Sequence, residues 1–150
     1  MVDLVIMFFA QYAYLVVVSI AIWFFISSVL SIRTSILVVG TLSSTIAFVA
    51  DKILNKFIES PRPFVVEHIT PLFPHVANNG FPSEHTLFAT VIASVLFVYN
   101  KKVGTLLFLL AFCIGVARVL ANVHHLIDII GGIAIGVISV YIVYCFRKLV

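Results

Sequence analysis

The chain has 150 residues, of which 63% are hydrophobic and only 10% are charged, and its mean hydropathy is +1.23. A globule of this size cannot bury so many apolar side chains in water, because a small domain keeps a large share of its surface exposed. The composition therefore excludes an ordinary water-soluble domain and indicates an integral membrane protein. The net charge of +3 is small and gives no indication of a nucleic-acid partner.

Five apolar runs follow one another along the chain. They are continuous rather than alternating, which favours helices over barrel strands as the way to satisfy the backbone in hydrocarbon. Most of them reach or approach the roughly 20 residues needed to cross a bilayer, although the third is short. The first run is too long, and its start too acidic, for a cleaved signal peptide. The sequence thus predicts a single all-α domain over residues 1–150, a bundle of five transmembrane helices formed by Leu4–Leu30, Ile36–Ile58, Glu84–Tyr99, Val103–Val123 and Leu126–Phe146.

The charged residues separate between the two sets of predicted helix ends. One set carries five basic residues: Arg33, Lys101, Lys102, Arg147 and Lys148. The other set carries, at or near it, all six acidic residues: Asp3, Asp51, Glu59, Glu67, Glu84 and Asp128. The positive-inside rule then predicts an N-terminus outside, a C-terminus in the cytoplasm and an extracytoplasmic Glu59–Ser83 loop.

This loop is the one substantial segment between predicted helices. All five prolines of the chain lie in this loop, and the last of them is Pro82. The loop also contains the NNG motif Asn78–Gly80, and such residues are typical of ordered loops. The motifs SPRPF and FPSEHT bracket it. In FPSEHT, Pro82 suits the first position of a helix and Ser83 suits a helix cap. We therefore expect a helix N-terminus with free N–H groups, which is suited to binding an anion.

The stretch RVLANVHHLID places four ionisable side chains, one Arg, two His and one Asp, between two apolar runs. On one continuous helix Arg118 and His124 would be about 240° apart, so a turn near Ala121–Val123 is predicted. His124 and Asp128 are spaced i,i+4, which would stack them on one face of the last helix. A carboxylate in that position can hold one ring nitrogen of the imidazole and leave the other nitrogen free as a nucleophile.

Three polar clusters from separate segments are expected to meet at the extracytoplasmic face. Ionisable groups at membrane depth are costly, so their convergence indicates a function. Cations beside a helix N-terminus can bind phosphate, and two histidines can supply a nucleophile and an acid. No acidic cluster offers oxygen ligands for Mg²⁺, and the two cysteines lack zinc-ligand spacing, so we expect no metal and no other cofactor. The clusters are Lys56 with Arg62, Ser83 with His85, and Arg118 with His124 and Asp128.

These clusters resemble the three-part signature of the type 2 phosphatidic acid phosphatase (PAP2) superfamily, K-x6-R-P, P-S-G-H and S-R-x5-H-x3-D. The third part is matched from Ala117 to Asp128, the second by Pro82–His85 and the first by Arg62-Pro63. Within the superfamily, FAQYAYL, SPRPF, FPSEHT and HHLIDIIGG are most similar to bacterial undecaprenyl-diphosphatases of the bacitracin-resistance type. The resemblance implies a metal-independent lipid phosphatase that acts on a polyprenyl diphosphate at the outer face of the cell membrane, without an obligate protein partner.

The resemblance also implies a role for each matched residue in a two-step displacement. His124 would attack the terminal phosphorus to form a phosphohistidine, Asp128 would fix the tautomer of that imidazole, and His85 would protonate the departing lipid phosphate. The phosphate oxygens, whose charge must be stabilised during transfer, would be held by Arg62, Ser83, Arg118 and a lysine.

The lysine is where the sequence departs most from the family pattern. The family position is occupied by Asn55, while Lys56 is adjacent and Lys52 lies one helical turn earlier. We assign Lys56 to the role and keep Lys52 as the alternative. Glu84 replaces the family's glycine, and it is tolerable if it faces water or pairs with a lysine; Ala117 replaces a serine.

Other interpretations remain open. Within the same enzyme class, the substrate would be phosphatidate or phosphatidylglycerophosphate; in a different class, the chain would bind or transport a lipid phosphate without turnover. Taken singly, Arg118 is typical of an interfacial anchor and Ser83 of a cap. Gly132 and Gly136 form a G-x3-G pattern that predicts close helix packing. Three histidines occupy no signature position and are interpreted as loop or interface residues: His68, His75 and His125.

Overall fold

The computed structural model describes residues 1–149, with side chains up to residue 147, and these residues form helices and no β-strand. The prediction of an all-α protein is confirmed. In chain order the helices are α1 (Val2–Gln11), α2 (Ala13–Ser27), α3 (Leu30–Phe57), α4 (Pro63–Val66), α5 (Glu84–Tyr99), α6 (Lys101–Leu120) and α7 (Leu126–Leu149).

The helices that can cross a membrane are fewer than the five predicted. Among the described residues, α3, α6 and α7 are long and apolar enough. The pair α1 and α2 passes the same test together but is bent by 49°, so it counts as one broken span at most. Helix α5 has only 16 residues. The described helices therefore supply three or four candidate spans, and both the five-span bundle and the orientation of the chain ends stay predictions.

The first predicted helix, Leu4–Leu30, is wrong as a single element. The helix is interrupted at Tyr12, between α1 and α2, and α2 ends at Ser27. Apolar composition cannot locate such a break, because the residues on both sides of it are equally apolar.

The other predicted helices agree with the structure to within a few residues. Helix α5 has the predicted bounds, and α7 starts at the predicted Leu126. Helix α3 starts at Leu30 rather than Ile36, and α6 starts at Lys101, where the side chain of Asn100 accepts a hydrogen bond from the Val103 amide at 3.1 Å. The predicted turn after Arg118 is confirmed, since α6 ends at Leu120 and Asn122 has a positive φ of 61°.

Helix α5 lies at the centre of the bundle and packs against α2, α3, α6 and α7. Its contact with α7 is close because glycines lie at the crossing. A Cβ atom on Gly132 would come within 2.9 Å of the Ser83 carbonyl oxygen, and one on Gly136 within 2.9 Å of the Thr90 Cβ. The close packing predicted from the G-x3-G pattern is confirmed, and it fixes the start of α5 against the first turns of α7.

The surface of the bundle is apolar. Large side chains such as Trp23, Phe112 and Tyr141 are exposed. This is the surface expected where lipid is the solvent. Cys113 and Cys145 are both free.

One end of the bundle, which we call the site end, is formed by the loop 58–83 and the turn 121–125. Helices α3 and α6 end there, and α5 and α7 begin there. Backbone hydrogen bonds join these segments: the Leu72 amide donates to the Ala121 carbonyl at 3.2 Å, and the Ser83 amide donates to the Asp128 carbonyl at 3.0 Å. The loop is therefore held as an ordered cover over the helix ends.

Candidate active site

A polar cavity of about 220 Å³ lies at the site end. Four of the seven residues that the sequence singled out line it: Arg62, His85, Arg118 and His124. Ser83 and Asp128 are completely buried beside it. The remaining lining residues are Asp51, Lys52, Asn55, His75, Val76, Asn78, Asn79, Pro82 and Glu84.

His124 and Asp128 contact each other, although not in the way predicted. His124 lies in the turn before α7 rather than in the helix, and its Nδ1 is 3.2 Å from Asp128 Oδ2. Asp128 Oδ2 also accepts from the His125 amide at 2.9 Å, and Oδ1 accepts from Ser60 Oγ at 2.7 Å. Because these partners all donate to an ionised carboxylate, the hydrogen of the His124 imidazole belongs on Nδ1.

The other ring nitrogen of His124 faces an arginine. Arg62 Nη1 lies 3.2 Å from His124 Nε2, and an arginine can only donate, so Nε2 carries the lone pair. Burial lowers the pKa of His124 below its ordinary value of 6.5, although the hydrogen bond that His124 donates to Asp128 opposes this shift. The imidazole is therefore neutral at neutral pH, with Nε2 free to act as a nucleophile.

Arg62 is held by the loop and by the turn. Its Nε donates to Asn78 Oδ1 at 2.9 Å and its Nη1 to the Val123 carbonyl at 2.6 Å. Burial lowers the pKa of Arg62, although the negative charges of Asp128 and Glu84 raise it. Its guanidinium remains a cation, since arginine does not lose its proton in proteins.

Arg118 has a partner that the sequence did not indicate. Its Nη2 lies 2.8 Å from His75 Nε2, and its Nη1 donates to the Ala10 carbonyl at 2.9 Å. His75 also contacts the His124 ring edge-to-face, with ring centroids 6.3 Å apart. It lies in a long loop at no fixed spacing from the motifs, so nothing in the sequence could have singled it out.

Helix α5 presents His85 in its first turn. The ring of His85 meets that of Tyr14 edge-to-face, with centroids 5.4 Å apart. Ser83 is the N-cap residue of α5, as predicted, but its side chain makes no capping bond and instead lies 3.1 Å from Thr86 Oγ1.

The structure places Lys52, not Lys56, at the cavity. Lys52 Nζ lies 2.9 Å from Asp51 Oδ2 and 3.0 Å from Glu84 Oε1. Glu84 thus pairs with a lysine. This is one of the two arrangements in which we expected an acidic residue to be tolerated in place of the family's glycine. Lys56 lines a separate cavity of about 400 Å³ together with Glu59. The two lysines are spaced i,i+4 and lie on nearly the same face of α3, so they differ mainly by one helical turn, about 6 Å along the helix axis.

The loop contributes amide and hydroxyl groups that sequence reasoning missed. Asn79 Nδ2 donates to the carbonyls of Asn55 and Ile58, both at 2.7 Å, and its Oδ1 accepts from the Ser60 amide at 2.8 Å. A Cβ atom on Gly80 would come 2.9 Å from Asp128 Oδ2. The NNG motif was the available signal, but as a turn motif it indicated a loop and not its contacts.

Comparison with known proteins gives consistent results. The sequence profile of the PAP2 superfamily matches residues 29–149. Undecaprenyl-diphosphatase BcrC of Bacillus subtilis (strain 168) is 27% identical over 149 residues, covering 98% of this chain and 76% of that protein. Bacitracin transport permease protein BcrC of Bacillus licheniformis is 35% identical over 106 residues, covering 67% of this chain and 52% of that protein, so the match spans about half of that relative. The crystal structure of Aquifex aeolicus LpxE has a TM-score of 0.77 and 33% identity, covering 94% of this chain and 86% of that one.

Apolar helices of membrane-spanning length, together with a cavity lined by arginines and histidines, define an integral membrane protein with a site suited to phosphate. The chain belongs to the PAP2 superfamily. Its enzyme class, as the sequence predicted, is that of the lipid phosphatases.

Proposed function

We propose that this chain removes the terminal phosphate of a polyprenyl diphosphate, such as undecaprenyl diphosphate, at the outer face of the cell membrane. The observation that carries this proposal is the state of His124. Asp128 holds Nδ1 at 3.2 Å, and the lone pair of Nε2 faces the cavity cation Arg62. A phosphate bound between the arginines would meet a neutral nitrogen nucleophile.

In the first step, His124 Nε2 attacks the terminal phosphorus, and the bond from that phosphorus to the bridging oxygen breaks. His85 gives a proton to the departing lipid phosphate, while Asp128 stabilises the imidazolium that forms. In the second step, water attacks the phosphohistidine and gives a proton back to His85, the phosphorus–nitrogen bond breaks with its electron pair returning to Nε2, and inorganic phosphate leaves. Arg62 and Arg118 stabilise the oxygens that carry the charge in both steps. Ser83, at the start of α5, is expected to help hold the same phosphate oxygens.

Two features support a diphosphate substrate. Lys52, whose ammonium is shared with Asp51 and Glu84, is a third cationic side chain on the wall of the cavity that holds the two arginines, and two phosphate groups can reach all three more readily than one. A relative that aligns with nearly the whole chain is named an undecaprenyl-diphosphatase.

The outer face is supported by charge. The site end lies at the opposite ends of α3, α6 and α7 from Arg33, Lys101 and Arg147. The positive-inside rule puts those basic ends in the cytoplasm.

Substrate preference is tested by offering undecaprenyl diphosphate, phosphatidate and phosphatidylglycerophosphate to the purified protein in one detergent. We expect the fastest phosphate release from the diphosphate. Equal or faster release from either glycerolipid would assign the chain to the alternative substrate. The same assay with EDTA tests the expectation of metal independence, and full recovery by added Mg²⁺ after loss in EDTA would contradict it.

The covalent step is tested by His124→Ala. We expect this variant to lose phosphate release, because the nucleophile is gone. The matched control is His68→Asn, which alters an exposed histidine of the same loop region and tolerates its positive φ of 53°. Unchanged turnover by His124→Ala would reject the phosphohistidine.

A second candidate function is binding or transport of a lipid phosphate without turnover, and the Bacillus licheniformis relative is named a transport permease, although for bacitracin. This candidate function is distinguished by acid-labile labelling of His124 from a substrate labelled in its terminal phosphate. Label on the protein supports the enzyme, whereas lipid binding without label or phosphate release supports the binder.

A further inference from the structure

His75 has an unusual environment for a loop residue. It is partly buried, packs between Phe64 and Phe73 with ring centroids 6.5 and 6.0 Å away, and shares the cavity wall with His124 and Arg118. Its Nε2 lies 2.8 Å from Arg118 Nη2. The mechanism above uses Arg118 but gives no role to His75.

The direction of this hydrogen bond is fixed by chemistry. An arginine has donors only, so His75 Nε2 must accept and the ring must be neutral. Burial lowers the pKa of His75 to about 4, and the positive charges of Arg62 and Arg118 act in the same direction. His75 is therefore a permanent acceptor for Arg118 at neutral pH.

The second acceptor for Arg118 comes from the break in the N-terminal helix pair. Arg118 Nη1 donates to the Ala10 carbonyl at 2.9 Å. Because α1 ends at Gln11, this carbonyl belongs to the last turn of the helix, where carbonyls lack partners within the helix. The two terminal nitrogens of the guanidinium thus donate to acceptors from two separate segments, the end of α1 and the loop 58–83.

The third nitrogen of Arg118 is left over. The whole residue is only 2% exposed. Its Nε is buried and has no hydrogen-bond partner among the described residues. A buried donor on a charged group is costly to leave unpaired. Because Nε itself has almost no exposed surface, an anionic oxygen in the cavity that Arg118 lines would satisfy it after a small turn of the guanidinium toward the cavity.

We propose that His75 is a positioning residue that orients Arg118, so that the guanidinium edge carrying Nε–H donates to an oxygen of the transferred phosphoryl group. The role rests on the proposed function, since it concerns the phosphate of that same site. His75 itself does not exchange a proton or touch the attacked phosphorus.

The test compares His75→Gln with His75→Asn. A glutamine side chain carries its amide oxygen to the place of the imidazole Nε2 and can still accept from Arg118, whereas asparagine reaches only to the place of Nδ1. Removing a donor from a site that stabilises transition-state charge costs about 100- to 1000-fold in kcat. For a misoriented donor we expect a smaller loss with His75→Asn, roughly 10- to 100-fold in kcat with KM changed less than about 3-fold, and no more than about a 3-fold loss with His75→Gln.

Two further measurements separate positioning from other roles. Orthovanadate, which mimics the five-coordinate phosphorus, is titrated calorimetrically into the detergent-solubilised wild type and both variants; we expect weaker binding by His75→Asn only. In an Arg118→Ala background, His75→Asn should add less than about a 2-fold loss, because both changes remove the same interaction.

The outcomes discriminate sharply. Equal losses in His75→Gln and His75→Asn, or unchanged vanadate binding by both, would overturn the positioning role. Vanadate binding needs no turnover, so a wild type that releases no phosphate from any lipid would reject the proposed function while the vanadate series still decides the role of His75.

Discussion

The helices around α5 and the N-terminal pair α1 and α2 contribute to the site in different ways. Helices α3, α5 and α6 carry Lys52, His85 and Arg118 of the cavity, and the loop and turn of the site end carry Arg62, His75 and His124. The N-terminal pair contributes a backbone carbonyl, from Ala10 to Arg118, and a ring edge, from Tyr14 to His85. It also lies outside the residues matched by the superfamily profile. The reacting groups therefore belong to the packed helix ends with their loop and turn, while the bent pair supports two of these groups from outside.

The largest effect is expected from Asp128→Asn. An amide nitrogen facing His124 Nδ1 would donate where the carboxylate accepts, which favours the wrong tautomer. We expect kcat to fall about 10⁴-fold, as when the orienting carboxylate of a triad is replaced, together with a lower melting temperature, because a buried amide cannot accept from all three donors that the carboxylate satisfies. The control is Asp3→Asn in the exposed first turn of α1, for which phosphate release should be unchanged. A loss below 10-fold with Asp128→Asn would remove the carboxylate from the mechanism.

The packing of the core is tested by Gly132→Ala. Its added Cβ would lie 2.9 Å from the Ser83 carbonyl oxygen and 3.2 Å from the Leu87 amide nitrogen, and backbone atoms cannot move aside. We expect about 1–3 kcal/mol of destabilisation, seen as a lower melting temperature in detergent. Gly40→Ala is the matched control, because a Cβ atom there meets nothing within 4 Å. Equal melting temperatures for both variants would contradict the close α5–α7 crossing.

Acid pH offers a test of the neutral imidazole in the core. Since burial lowers the pKa of His124 from 6.5, the neutral form persists at pH 6.5 and is lost only below it. As the pH is lowered, kcat/KM should stay constant down to about pH 6.5. Below that it should fall, with a limiting slope of tenfold per pH unit. Stability should decrease over the same range, because the unfolded chain then binds more protons than the folded chain. A decline that already begins above pH 7 would show that the nucleophile is not shielded in this way.

The lysine assignment is tested by comparing Lys52→Ala with Lys56→Ala. Lys52 lines the cavity and Lys56 lines its neighbour. We expect Lys52→Ala to lower kcat/KM roughly 10-fold, through a lost charge on the bound phosphate, and Lys56→Ala to change it less than about 2-fold. The reverse order would restore the assignment made from the sequence.

The smallest effect is expected from the N-terminal pair. Tyr14→Ala removes the ring that meets His85, a contact worth about 0.5–1.5 kcal/mol, so kcat/KM should fall only a few-fold. Tyr14→Phe keeps the ring edge and should match the wild type. If Tyr14→Ala loses as much activity as Asp128→Asn, then the division between the packed helix ends and the supporting pair is wrong.

Much of the candidate site was visible in the sequence because its signals are local. The i,i+4 spacing of His124 and Asp128 and the Pro-Ser start of α5 act within one or two turns of backbone. His75 and Ser60 had no such signal. Each meets its partner, Arg118 or Asp128, only because the loop folds over the helix ends.

Composition, apolar runs and short motifs are properties of neighbouring residues, and they were enough to predict a helical membrane protein of the PAP2 superfamily. The break of the first helix at Tyr12, the position of Lys52 rather than Lys56 at the cavity and the hydrogen bond between Arg118 and His75 appear only in the folded chain. These are contacts between segments far apart in the chain, and the free energy that selects them comes from packing and hydrogen bonds that no local pattern encodes.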